Sequence, residues 1–268
     1  MSIRYFVDLP CQPREDLGPD ELLQLVLLRE RAAQLRSRFA EKGITDPAAM
    51  RFRERVTTPD GETTRERSVG DLMAETAVLD NQASWCRSCP AAVIPSAFGC
   101  IWQVSLPISN AAQCWLLEQL PGDGSRGLDL FRSAVEALGY DRPGVLNRWR
   151  EAGFVEGATP PVIEREGFTP NADMILTELF LVGDLMPTHT LGILLHLQAL
   201  KAADGRVGDD LITLIETMTS TESAEDAPGI EFALAPSEED DRSTREVKHF
   251  LAACYLGLEL QVPIAIRL

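Results

Sequence analysis

The sequence predicts an α/β protein of the α+β kind: one mixed β-sheet with packed helices, a charged β-hairpin and a helical subdomain in the C-terminal half. Three observations carry this expectation. Strand-like apolar stretches occur at both chain ends and near the middle, longer stretches repeat apolar residues at helical spacing, and Gly, Pro and Asp gather between them. Strands separated by helices in this way make a sheet with helices on it.

Residues 3–9 read as a strand, ended by Asp8 and Pro10. Gly18-Pro19-Asp20-Glu21 then opens a helix expected to run to Lys42, with Pro in its first turn, carboxylates at its positive end and Gly43 as its cap. Leu22, Leu23, Val26, Leu27 and Phe39 make its apolar face. Residues 51–67 alternate on a shorter period around Thr58-Pro59-Asp60-Gly61, the composition of a tight turn, and predict a hairpin. Arg51, Arg53, Arg55, Arg65 and Arg67 suit a phosphate ribbon, but the interleaved Glu54, Glu62 and Glu66 can pair with them across the strands, which favours a solvated hairpin.

Ser68 to Asp71 is a helix start continuing to Leu79, and a cysteine-bearing loop follows. Residues 101–108 read as a buried strand, Ser109-Asn110 as the cap of a helix to Leu120, and 128–138 and 145–152 as further helices. Gly153 to Pro161 has no helical period and ends in a Pro pair. It is the expected boundary between an α/β region, 1–152, and a helical subdomain, 153–268, that returns to the sheet; a single domain of 1–268 is the alternative. Helices are expected over 170–182, 188–203 and 207–218, then a polar loop over 220–229, a short strand over 230–234, a helix over 242–258 and a last strand over 262–268.

A chain of 268 residues buries roughly 70 to 75% of its unfolded surface and needs no disulfide staple. The first ten residues lack the apolar core of a signal peptide, and the longest apolar run, 191–197, is far short of the roughly 20 residues of a membrane span. These observations predict a cytoplasmic protein without membrane attachment, whose six cysteines are reduced. The net charge is −16, and all of the acidic excess lies beyond Arg67. Such a surface repels phosphate backbones, which argues against nucleic acid and anionic membrane; it suits a protein partner, a basic one, or simply keeps the protein soluble.

The chemically distinctive feature is Cys86-Arg87-Ser88-Cys89-Pro90, followed by Phe98-Gly99-Cys100. A two-residue spacing turns both sulfurs toward one point, and the intervening amides can donate to thiolates held on a metal. The Phe98-Gly99 turn can return a third sulfur. Zinc is the expected ion, because closed thiolate sites in reduced compartments commonly hold it. A closed site has four protein ligands. If the strands at 3–9 and 101–108 are antiparallel neighbours, the end of one meets the start of the other and Cys11 supplies the fourth sulfur; if they are parallel, His189 is the better candidate. The residues also allow an iron–sulfur cluster or a thiol redox pair, although the helix precedes the motif and the spacing matches neither familiar ferredoxin run.

Cys114 and Cys254 lie in apolar helical settings and read as core residues, as does His196. Three histidines are too few for a multi-histidine metal site, and no nucleophile elbow, phosphate loop or dinucleotide fingerprint is present. Whether the chain is an enzyme stays open. The expectation is a zinc-binding protein with an interaction or accessory role; the alternatives are a redox protein at the same cysteines and an acidic module that binds a basic protein.

Overall fold

The computed structural model describes residues 1–58, 61–137, 143–220 and 229–268. The centre of the expected 58–61 turn and most of the expected 220–229 loop lie outside them. The fold is a mixed α/β fold whose named sheets are small, with eleven helices and seven strands among the described residues. Contact density divides the chain into two compact units, one of residues 1–9 and 102–268 and one of residues 10–101. This division does not follow the boundary expected at 153–161.

In the unit of 1–9 and 102–268, β1 (Ser2–Val7) is the middle strand of a three-stranded sheet, between β4 (Ile101–Ser105) and β7 (Ile264–Arg267). β1 and β7 are antiparallel, with Tyr5 opposite Ile266. The Leu106 amide donates to the Met1 carbonyl at 3.0 Å, so the end of β4 lies at the start of β1 and these strands also run antiparallel. The last helix, Arg242–Glu259, begins on an Asp241 cap whose carboxylate accepts from the Thr244 amide at 2.7 Å. Its Phe250 meets Tyr5 of β1 and Phe180 at ring distances of 4.9 Å, and all three rings are almost wholly buried. Burying such rings is the largest apolar contribution a core of this size has.

Between β4 and that last helix come Asn110–Glu118 (α5), Arg126–Ala137 (α6), Pro143–Glu151 (α7), Ala172–Phe180 (α8), Pro187–His196 (α9) and Gly208–Ser220 (α10). The segment expected as a linker is tied into this unit. Ile108 bridges Val155, and Arg150 of α7 donates to the carbonyls of Glu156 and Gly157 at 2.9 and 3.1 Å while pairing with buried Asp173 of α8. The same guanidinium donates to Gln113 of α5 at 2.8 Å. A charge buried without partners is costly, so this group holds α5, α7, α8 and the 153–161 segment together.

The helix expected over 188–203 ends early. Gln198 takes a left-handed backbone conformation, φ 48°, which breaks the helical ladder. Leu200–Ala202 then forms β5, antiparallel to β6 (Ile230–Phe232), a partner distant in sequence.

The unit of 10–101 begins with α1 (Gln12–Leu17), a short helix not anticipated from the sequence, and α2 (Pro19–Ala40). The hairpin follows, β2 (Arg51–Thr58) with β3 (Gly61–Ser68), its register placing Arg53 opposite Glu66 and Glu54 opposite Arg65. Its charges pair within the hairpin and with the flanking helices: Glu54 receives both Arg31 of α2 and Arg67, and Arg67 also meets Glu75 of α3 (Val69–Glu75). Ser68 and Asp71 form a reciprocal capping box at the start of α3. Beneath lies a small core of Ala32, Met50, Val69 and Leu72, flanked by Leu28, Leu35, Phe39, Ile44 and Phe52. α4 (Val78–Gln82) and a 3-10 turn, Ala83–Cys86, lead into the cysteine loop. No described helix is long and apolar enough to cross a membrane.

Candidate metal centre

All four predicted cysteines belong to the 10–101 unit, near the points where the chain enters and leaves it. Cys11 is the N-cap of α1, in extended conformation, and its carbonyl accepts from the amides of Arg14 and Glu15, each at 3.1 Å. Cys86 ends the 3-10 turn and is buried, and the Cys89 amide donates back to the Cys86 carbonyl at 3.4 Å, which folds the Cys-x-x-Cys segment into a turn.

The next turn is built by Phe98 and Gly99. Phe98 is buried with φ 63°, a left-handed conformation unusual for an aromatic residue, and its amide is the group that opposes the rise of the Cys86 thiol. Gly99 packs so closely that a Cβ there would lie 2.2 Å from the Ile94 carbonyl oxygen. Its own carbonyl accepts from the Val93 amide at 2.9 Å, and the Ile101 amide donates to Phe98 at 3.0 Å. These bonds close the loop and present Cys100 just before β4.

The thiols act on one another. Cys100 donates a hydrogen bond to the Cys89 sulfur; that bond, reinforced by the Ala91 amide and opposed by burial, brings the Cys89 thiol down to about 6. The same bond, then burial and the nearby Cys89, Cys86 and Cys11, push Cys100 far up. Burial raises the Cys86 thiol, the Phe98 amide opposes it, and Cys89 and Cys11 add to the rise. Three separate stretches of chain therefore place these cysteines where the thiols of Cys86 and Cys100 feel the charge of their neighbours. Among the described residues, no group of three or more His, Cys, Asp or Glu side chains is placed to hold a metal ion.

His189, the alternative fourth ligand, is exposed on the first turn of α9 and belongs to the other unit. His196 is a buried core histidine whose Nδ1 lies 2.7 Å from Glu178 Oε1. Cys254 is wholly buried, and burial drives its thiol well up. Cys114 is half-buried on α5, 3.8 Å from the amide nitrogen of Asn110. Neither extends the cluster.

The sequence signals the four sulfurs but not the amides of Ala91 and Phe98, which depend on a backbone conformation set by the whole loop. Gly99 between Phe98 and Cys100 is the visible trace of that turn. Trp85, beside Cys86, is 62% exposed, an unusual position for so large an apolar ring. Comparison with protein-family models, curated proteins and solved structures gave no match to this chain.

Proposed function

We propose that Cys11, Cys86, Cys89 and Cys100 hold one structural zinc ion as thiolates, and that the protein is a metal-stabilised interaction or accessory protein of the reducing cytoplasm. One observation carries the reading: cysteines from three stretches of the 10–101 unit act on one another's thiols, with the Phe98 and Ala91 amides favouring the thiolate at Cys86 and Cys89. Amide donors to sulfur are what a thiolate on a metal requires, and a set of four soft ligands suits zinc. Cys11 is preferred to His189 because it shares a compact unit with the other three. Zinc here would fasten the two ends of the 10–101 segment and the loop between Leu79 and Ile101. Exposed Trp85 and the −16 charge support a protein partner, since aromatic rings anchor interfaces and an acidic surface favours a basic one.

Elemental analysis of freshly purified, untagged protein tests the metal: about one zinc per chain is expected. A second reading, a thiol redox protein, rests on the hydrogen bond between Cys100 and Cys89. In that case the pair gives up two electrons and two protons to a peroxide or disulfide oxidant and becomes a disulfide. Metal-free protein in which oxidant consumes two thiols, lost together in Cys89→Ser and Cys100→Ser, favours it over zinc. An anaerobic preparation that is brown rather than colourless indicates an iron–sulfur cluster at these cysteines.

A further inference from the structure

The unit of 1–9 and 102–268 contains a cavity of about 280 Å³ between the start of α6, the end of α9, β5 and the start of α10. Its floor is Leu194, Leu200, Leu211 and Ile212, none more than 4% exposed. Close-packed interiors leave few voids larger than a water, and an apolar cavity of about 150 Å³ already takes up benzene. This one has nearly twice that room.

Its walls are held open by local backbone features. Gln198, at the mouth, keeps its left-handed φ of 48° while its side chain donates to the Gln119 carbonyl at 3.2 Å. Such a conformation in a non-glycine residue persists only where the surroundings enforce it, and it recurs at ligand sites. On the opposite wall, a Cβ on Gly127 would meet Pro121 Cγ at 2.8 Å, so the helix approaches the loop without a side chain between them.

The mouth is polar and carries one carboxylate. Asp209 accepts from the amides of Arg126 and Gly127 at 3.0 and 3.4 Å, so its carboxylate already answers the positive end of α6. Ser125 Oγ donates to the Gly122 carbonyl at 2.6 Å and accepts from the Leu128 amide at 3.3 Å, and Gln198 Nε2 donates to Gln119, so what these two side chains offer a ligand is acceptor oxygen. An anion entering here would meet the Asp209 carboxylate with no Lys, Arg or His among the described lining residues; Arg165 reaches only the Pro121 carbonyl, at 3.3 Å.

We infer that this cavity binds a small uncharged or cationic organic molecule, its apolar body of one or two rings on the leucine floor and its hydroxyl or ammonium group at Ser125, Gln198 and Asp209. The inference is independent of the metal site. Titration calorimetry of the full chain with 1-naphthylmethylammonium, 1-naphthylmethanol and 1-naphthoate tests it. The amine and the alcohol are expected to bind saturably at one site, and the carboxylate at least tenfold more weakly. Asp209→Asn, which keeps an oxygen for the two amides, narrows the gap between amine and carboxylate. Leu195→Trp, which fills the mouth, abolishes amine binding, and Gly122→Leu does so from the loop should the first variant not fold. No saturable binding of any probe to the wild-type chain, or undiminished binding to a folded filled variant, overturns the proposal.

Discussion

Gly99→Ala alters the turn that presents Cys100 without removing a single sulfur. A Cβ at this position would lie 2.2 Å from the Ile94 carbonyl oxygen and 3.1 Å from that of Ser96, whereas ordinary contact begins at 3.4 Å. Both obstacles are backbone, so the loop must open by about 1 Å, beyond what a rotamer change can supply. Overpacking of this kind costs about 1–3 kcal/mol. The hydrogen bonds from the Gly99 amide to Ser96 and from the Val93 amide to Gly99, at 3.0 and 2.9 Å, weaken with it, at about 1 kcal/mol each. The expected loss is about 3–5 kcal/mol, or about 1–1.7 M in urea midpoint for a slope of about 3 kcal/mol/M. Urea unfolding followed by far-UV circular dichroism measures this, with zinc content determined on the same samples. Gly229→Ala, whose Cβ meets nothing within 4 Å and whose φ is not left-handed, serves as the control and stays within about 0.5 kcal/mol. A Gly99→Ala protein with the wild-type midpoint and a full complement of zinc would refute the assignment of this turn to the metal centre.

Cys11→Ser, Cys86→Ser, Cys89→Ser and Cys100→Ser are each expected to lose zinc, with a lowered melting temperature, while Cys114→Ser and Cys254→Ser keep it; equal loss in all six would mean that metal content only reports unfolding. Arg150→Met strands the Asp173 carboxylate in the core and costs about 3–5 kcal/mol, and the double variant Arg150→Met/Asp173→Leu recovers part of that in denaturant unfolding. Burial raises the Asp240 carboxyl, but hydrogen bonds from Lys248 and the Ser237 amide outweigh it and hold the group below its ordinary 3.8. Its contribution to stability is therefore present above pH 3.8 and lost as pH falls through the lower folded value, so Asp240→Asn flattens the acid limb of a stability-against-pH curve. On the proposed zinc site, affinity for zinc is expected to rise with pH, because binding expels thiol protons, and competition with a chelator measures this.

Local signals in the sequence were sufficient for the parts of the fold that local chemistry decides. The Gly18-Pro19 start of α2, the charged hairpin, the Ser68 to Asp71 cap and the strands at both ends follow from periodicity, caps and composition. Choices made by distant partners were not legible. Residues 200–202 continue an apolar run that suits a helix, yet the backbone turns at Gln198 and they pair with 230–232. The Gly153 to Pro161 stretch has linker composition, yet Arg150 recruits its carbonyls into a buried ion pair that no spacing announces. At the site, the Cys86 and Cys89 pair was legible from its spacing and Cys11 only through a conditional argument about strand direction. β4 and β1 do run antiparallel, as the Leu106 to Met1 hydrogen bond requires. The amides on the sulfurs were invisible, because they depend on a left-handed Phe98.

The central claim is tested most directly by zinc content per chain, measured by elemental analysis on protein purified without tags or added metal, aerobically and anaerobically. The account predicts about one zinc per chain in both preparations, retained through gel filtration and lost on substitution of Cys11, Cys86, Cys89 or Cys100. Protein that is folded, fully reduced and free of metal in both preparations would contradict it.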